Sequence, residues 1–199
     1  MTDFVVPSSI TEIKDFAFSG AVCLKSVKFH DSVTRIGWSA FLNCTGLTGA
    51  LSIPDSVASL GACAFMGCTG LTSVKIPETV TGIGRGTFFN TAWFNSQPDG
   101  IVYLDGWCLG YKGKPISGNL AIKDGTKAIA SDAFQGCVDL TSATIPDSVK
   151  FIGATAFRDC LKLTSVAIPD SVKKVGKEIF KNCRSISIET KQRIAKLVL

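Results

Sequence analysis

Eight cysteines give this 199-residue chain most of its reactive chemistry, and five of them recur at a fixed interval. Cys44, Cys68, Cys137, Cys160 and Cys183 each stand three residues after a phenylalanine, while Ala21 and Thr91 fill that slot elsewhere. A structural zinc needs four ligands in a tetrahedron, commonly through CxxC pairs, and the chain has no such pair. Evenly spaced thiols on stacked segments form a column instead, about 4.8 Å apart between strand-like neighbours. Free cysteine is an ordinary small buried residue, so the expectation is a packed thiol column with no metal and no cofactor. Cys23, Cys63 and Cys108 fall outside the slot and lack evident partners. Unpaired thiols suit a reducing compartment or an anaerobic extracellular setting. Cys108 is expected to be the exposed one.

The remaining catalytic residue types are thinly supplied. His30 is the only histidine and stands in a turn slot, which removes a Ser/His/Asp set; HExxH and phosphate-loop motifs are absent. Asp55, Asp147 and Asp170 are one turn residue repeated, so they read as structural rather than as an acid/base pair. The chain is not expected to be an enzyme.

These residues sit on a repeat. CTGLTSVKIPETVTGIGRGTF at 68–88 returns as CVDLTSATIPDSVKFIGATAF at 137–157 and CLKLTSVAIPDSVKKVGKEIF at 160–180. Pro7, His30, Pro54, Pro77, Lys123, Pro146 and Pro169 share one slot, and Phe18, Phe41, Phe65, Phe88, Phe134, Phe157 and Phe180 another. The steps are 23 or 24 residues with a single 46, which is two periods with one copy rewritten. A period in the low twenties lies in the leucine-rich repeat range and implies a solenoid of right-handed coils with short parallel strands.

Each position has a mechanical reading. Leu71, Val74 and Ile76 face inward while Ser73 and Lys75 face out, the alternation of a half-buried strand. Pro77 cannot donate to a strand ladder, so the strand ends there. The Asp/Glu-Ser/Thr pair that follows is turn chemistry, and Val80 and Ile83 return to the interior. Gly84 permits a corner that a side chain would obstruct, and Phe88 fills the back of the coil. No coil buries its apolar face alone; stacking does so.

The organisation is therefore one domain over 1–199: coils at 2–94, an insert at 95–119, coils at 120–183 and a cap at 184–199. One extra residue near Thr48-Gly49-Ala50 implies a small bulge. In the insert, Ile101–Leu104 and Trp107–Tyr111 flank Asp105-Gly106, a hairpin signal. Its Tyr103, Trp107 and Tyr111 either anchor a partner or plug the gap left by the missing coil. Ile194, Leu197 and Val198 at helical spacing predict an amphipathic helix over the last coil.

Net charge is +5, with eight basic and two acidic residues in 171–199 making that tail +6 and the rest −1. Solenoid ends need polar caps, and with no nucleic-acid motif the tail reads as a solvated cap rather than a polyanion site. No apolar run approaches the length of a membrane span, and residues 1–20 show no signal-peptide pattern.

The unit LxxVxIPxxVxxIGxxAFxxC resembles the BspA-like leucine-rich repeat of bacterial and some protist proteins, over nearly the whole chain. The insert WFNSQPDGIVYLDGWCLGYKG resembles a hairpin common among them. That resemblance implies a secreted or surface protein associated with adhesion, although the free thiols suit a reducing environment.

Together these readings point to a non-catalytic, monomeric module that binds a protein or glycan through the outward strand residues. By register these are Ser26, Lys28, Ser52, Ser73, Lys75, Ser142, Thr144 and Ser165, with the hairpin's Tyr103, Trp107 and Tyr111 as a second surface. The alternative is a spacer or stalk segment with no ligand of its own, indifferent to mutation of either set.

Overall fold

In the computed structural model, which describes residues 3–197, each 23-residue period closes into a three-sided coil. Thr2 and Val198, assigned above to the entry coil and the capping helix, lie outside the described residues. The chain divides into two compact units, one ending at Pro98 and the other beginning at Asp99.

The first unit holds β1 (Asp3–Val5), β2 (Glu12–Ile13), β3 (Ser26–Lys28), β4 (Arg35–Ile36), β5 (Thr48–Ser52), β6 (Ser59–Leu60), β7 (Gly70–Lys75) and β8 (Gly82–Ile83). The two-residue strands form one parallel sheet in the order β2-β4-β6-β8, with Ile13, Ile36, Leu60 and Ile83 in register. The longer strands form a second side, split into β1-β3 and β5-β7. The split coincides with the extra residue at 48–50, where Gly49 has φ +75° and the β5–β7 register slips between Gly49 and Ala50.

The third side is a wall of turns. Coil-to-coil backbone bonds such as Phe18 N–H to the Ala40 carbonyl (2.7 Å) and Phe41 N–H to Ala64 (2.8 Å) hold it together. Each coil spends two left-handed residues there, two before and two after the wall phenylalanine. The later position is Gly20, Asn43, Gly67, Asn90, Gly136, Asp159 or Asn182, all residues that tolerate this conformation. The earlier one includes Phe16, Cys63, Thr155 and Glu178, with φ between 55° and 59°. Inside the wall the phenylalanines stack: Phe18–Phe41 at 5.0 Å, Phe41–Phe65 at 5.1 Å and Phe65–Phe88 at 5.9 Å, all within 8° of parallel.

The corner glycines act through proximity rather than φ. A Cβ on Gly84 would lie 2.3 Å from the Ala62 nitrogen of the coil beneath, and one on Gly61 2.5 Å from Trp38. Lys14 occupies this slot in the first coil, which has no described coil beneath it to strike. The unit closes with α1 (Ala92–Ser96), absent from the sequence reading, whose N-cap Thr91 accepts a bond from Phe94 N–H at 3.0 Å.

The second unit opens with the hairpin β9 (Gly100–Leu104) and β10 (Trp107–Lys112), turning through Asp105 and Gly106 at φ 45° and 83°. Two positive φ values match the primed turn that suits strand twist. Then come β11 (Gly118–Ala121), β12 (Ala128–Ile129), β13 (Leu140–Thr144), β14 (Phe151–Ile152), β15 (Ser165–Ala167), β16 (Lys174–Val175) and α2 (Ile188–Ala195). The hairpin joins the short-strand sheet, in the order β16-β14-β12-β10-β9, and so supplies the strand of the rewritten coil. The long-strand side of this unit is β11-β13-β15. The capping helix forms as expected, with Ile194 and Leu197 packed against the core and Leu197 accepting a bond from Val175 N–H at 3.1 Å.

A groove between the capping helix and the long-strand side

The thiol column is realised, with a bonding role the spacing did not disclose. Cys44, Cys68, Cys160 and Cys183 are buried, and their thiols reach the carbonyls of Phe18, Phe41, Phe134 and Phe157 in the preceding coil, at 2.9–3.2 Å. All eight cysteines are unpaired. The Cys44 thiol and burial push Cys68 well above the ordinary thiol range, and burial pushes up Cys137. Cys108 is not the exposed thiol expected: on hairpin strand β10 it is fully buried and its pKa is pushed up to about 12 by burial. Cys23 is the exposed one. Among the described residues no three His, Cys, Asp or Glu side chains converge to hold a metal, and no helix is long and apolar enough to cross a membrane.

The hairpin aromatics turn inward. Trp107 is buried and meets Phe151 edge-on with centroids 6.5 Å apart. Tyr103 and Tyr111 are half-buried against the core, and the Tyr103 hydroxyl accepts a bond from Lys123 N–H at 3.0 Å. Burial raises the Tyr103 pKa. This geometry is that of a plug.

The strand-face residues do point outward, and the two units treat them differently. Ser26 and Lys28 stand on β3, while Ser52, Ser73 and Lys75 stand on β5 and β7; the Ser26 hydroxyl donates to Asp3 at 2.6 Å. In the second unit, Ser142, Thr144 and Ser165 come together in a groove of about 460 Å³. Ala143, Val166, Ala167 and Ile168 complete its floor, and α2 forms its wall with Ser187, Glu189, Thr190 and Arg193. Sequence reasoning missed this wall because a capping helix pattern says nothing about which edge the helix covers.

Local bonds fix that wall. Ser187 caps α2 by accepting from Thr190 N–H at 3.2 Å, and Ser187 N–H itself donates to the Thr164 carbonyl at 2.9 Å. The Thr190 hydroxyl reaches the Val166 carbonyl at 3.5 Å, covering the open edge of β15. Arg193 is anchored by Asp170 at 2.8 Å and the Pro169 carbonyl at 3.2 Å, while its Nε is buried without a partner. In the floor, Ser142 donates to Asn119 at 2.7 Å.

The model of the BspA type leucine rich repeat region matches residues 1–97 and 117–197 in six copies. The chain belongs to this leucine-rich repeat family. The unmatched stretch between the two ranges contains the hairpin. Among solved structures, a leucine-rich repeat protein of T. pallidum is 26% identical over 98% of this chain and 82% of its own, with a TM-score of 0.49. A leucine rich cell surface protein of Faecalibacterium prausnitzii A2-165 is 25% identical with a TM-score of 0.44; the match covers 94% of this chain but 46% of that one. A leucine-rich repeat protein of Eubacterium ventriosum is 19% identical, covering 94% of this chain and 59% of its own, with a TM-score of 0.48. No curated protein matches the chain. Repeats of this family usually serve as protein-interaction or surface modules and are typically non-catalytic.

Proposed function

We propose that this chain is a non-catalytic binding module that holds a protein or glycan partner in the groove between β13, β15 and α2. One observation carries the reading: the Thr144 and Ser165 hydroxyls line the groove without a hydrogen bond to any described residue, beside the partnerless Nε of Arg193. A concave site with a few convergent polar groups over a small apolar floor is the usual form of a binding pocket. The hydroxyls can accept or donate, Arg193 donates and Glu189 accepts, so a chain of amides or sugar hydroxyls finds complementary partners along the floor. The first unit's Lys28 and Lys75 stand on separate sheets.

The test is a binding screen by biolayer interferometry against matrix proteins, mucins and glycans. Wild type is compared with Ser165→Trp, Arg193→Ala and the Lys28→Glu/Lys75→Glu double variant. Loss of a captured partner with the groove variants, and retention by the lysine pair, supports the reading. Loss confined to the lysine pair moves the site to the first unit, and silence across the panel favours a spacer.

A further inference from the structure

The two units place opposite chemistry in the same slots of their turn walls. In the second unit the outward wall positions hold Asp132, Thr155 and Glu178 in one slot and Gln135, Arg158 and Lys181 in another. These bond to one another and their neighbours: Thr155 to Asp132 at 2.7 Å, Lys181 to Glu178 at 2.9 Å, Asn182 to Asp159 at 2.6 Å. In the first unit the same slots hold Phe16, Ser39, Cys63 and Gly86, then Ser19, Leu42, Met66 and Phe89, with Asp15, Trp38, Ala62 and Arg85 alongside, so large apolar side chains replace polar ones at Phe16, Trp38, Leu42, Met66 and Phe89. The repeat therefore tolerates a largely polar wall, and the large apolar side chains are not required for folding.

Three large rings of this wall are exposed, with Leu42, Cys63 and Met66 partly exposed between them. Phe16, Trp38 and Phe89 are 47%, 50% and 49% exposed, and Phe16 meets Trp38 edge-on at 4.8 Å. A Cβ on Gly86 would touch both Phe89 and Cys63, at 3.7 and 3.8 Å, which sets those two side by side. Backbone bonds from Asn43 to Met66 and from Gly67 to Phe89 stack the remaining column in register. Phe16 also holds φ 59°, a conformation that disfavours a bulky residue and that glycine, asparagine or aspartate adopts readily.

We propose that this wall is a self-association surface, occupied by the same wall of a second copy of the chain. Charge selects that occupant. A two-fold contact must be self-complementary, and residues 1–98 carry six basic and six acidic side chains, against fifteen and ten in residues 99–199. The rim beside Phe16 and Trp38 is itself a mixed network, with Arg35 bonded to both Glu12 and Asp15, Lys14 to Glu12, and Asp15 accepting from Trp38 N–H at 2.8 Å. A neutral, two-signed rim repels neither itself nor a two-fold mate, whereas anionic lipid would demand a cationic one. Three half-exposed aromatics, each able to bury roughly 150–250 Å², offer about 300 Å² per copy, the size of patch that is often functional on a monomer. With its rim, the pair falls in the small, transient class of interfaces, so the dimer forms reversibly and the monomer expected from sequence is its dilute form. The inference does not rest on the groove of the second unit.

The experiment is sedimentation velocity of the full chain over a wide concentration range. The test protein is Phe16→Asp/Trp38→Ser/Phe89→Lys, each replacement taken from the residue that fills the same slot in the second unit (Asp132, Ser131, Lys181). Circular dichroism establishes that it folds, and Phe16→Asp alone is expected to raise the thermal midpoint while weakening association. Wild type should dimerise with concentration, and the triple variant should raise the dissociation constant at least about tenfold, as loss of aromatic anchors does. A second control, Val138→Ser/Leu161→Ser, changes exposed apolar residues of the other unit and should leave the dimer intact. A wild type monomeric at every concentration, a dimer that survives the triple variant, or capture of the monomer by phosphatidylcholine vesicles would each overturn the proposal.

Discussion

Removing one ring from the middle of the phenylalanine ladder tests the coil register most directly. Phe41 is fully buried, stacked at 5.0 Å on Phe18 and 5.1 Å on Phe65, and meets Phe29 edge-on at 5.8 Å. Phe41→Ala deletes the ring and leaves a cavity between two coils whose carbonyl-to-amide bonds resist collapse. Large-to-small changes of this kind cost about 3–5 kcal/mol, and the loss of three ring contacts places this one at the upper end. Phe18 is only half-buried and has one ladder neighbour above it, so Phe18→Ala should cost about half as much. For a unit of this size, each kcal/mol lowers the thermal midpoint by roughly 4–8 °C. Urea unfolding followed by circular dichroism gives both free energies, and calorimetry checks the midpoints. Equal losses at Phe41 and Phe18, or a loss under about 1 kcal/mol at Phe41, would refute a continuous stacked ladder.

Two glycine substitutions should separate proximity from backbone conformation: Gly84→Ala drives a Cβ to 2.3 Å from Ala62 and should cost about 1–3 kcal/mol or more by overpacking. Gly136→Ala meets nothing within 4 Å but holds φ +76°, so about 1 kcal/mol is expected, and chemical denaturation compares the two. Thr155→Asn places an αL-tolerant side chain at φ 55° and should raise stability by about 1 kcal/mol, less what is lost with the Asp132 bond. All eight thiols should react with Ellman's reagent in denaturant without reductant, whereas in the native protein at pH 8 Cys23 reacts and Cys108, pushed up to about 12, does not. Acid should weaken the fold mildly. Lys14 and Arg35 hold Glu12, Asn182 and Arg158 hold Asp159, and Lys181 holds Glu178 below the ordinary carboxylate range. Depressed carboxyls contribute above their unfolded value of about 4 and lose that contribution as pH falls through the folded value, so midpoints measured from pH 6 to 2 should decline and salt should flatten the decline.

The architecture was legible because the repeat states the same packing problem seven times. Proline after a two-in, two-out strand, glycine at the corner and phenylalanine behind it each have one mechanical solution, and burial of Leu71, Val74, Ile76, Ile83 and Phe88 follows. The left-handed wall residues were hidden at the earlier slot, where Phe16, Cys63, Thr155 and Glu178 carry no turn signature. Helix α1 was missed because Thr91 looked like a substitute for cysteine, although the same hydroxyl caps the helix. Cys108 was placed toward solvent, and Trp107 left between anchor and plug, because hairpin alternation alone cannot tell which face a sheet covers. The groove was beyond reach for a related reason: its outward hydroxyls were identified, but the wall that makes a surface concave depends on where a terminal helix comes to rest.

The coil-to-coil bonding has a consequence for how such a chain can change length. Corner glycines such as Gly84, the thiols of Cys44, Cys68, Cys160 and Cys183, and wall amides such as those of Phe18 and Phe41 find their partners one full turn away, so adding or removing 23 residues restores each pairing, while a dozen would leave them mismatched. Growth is thereby quantised in whole turns. The single surplus residue near Gly49, where φ is +75° and an added Cβ would meet nothing within 4 Å, marks how small a fractional step the stack absorbs, and it does so by parting one sheet into two.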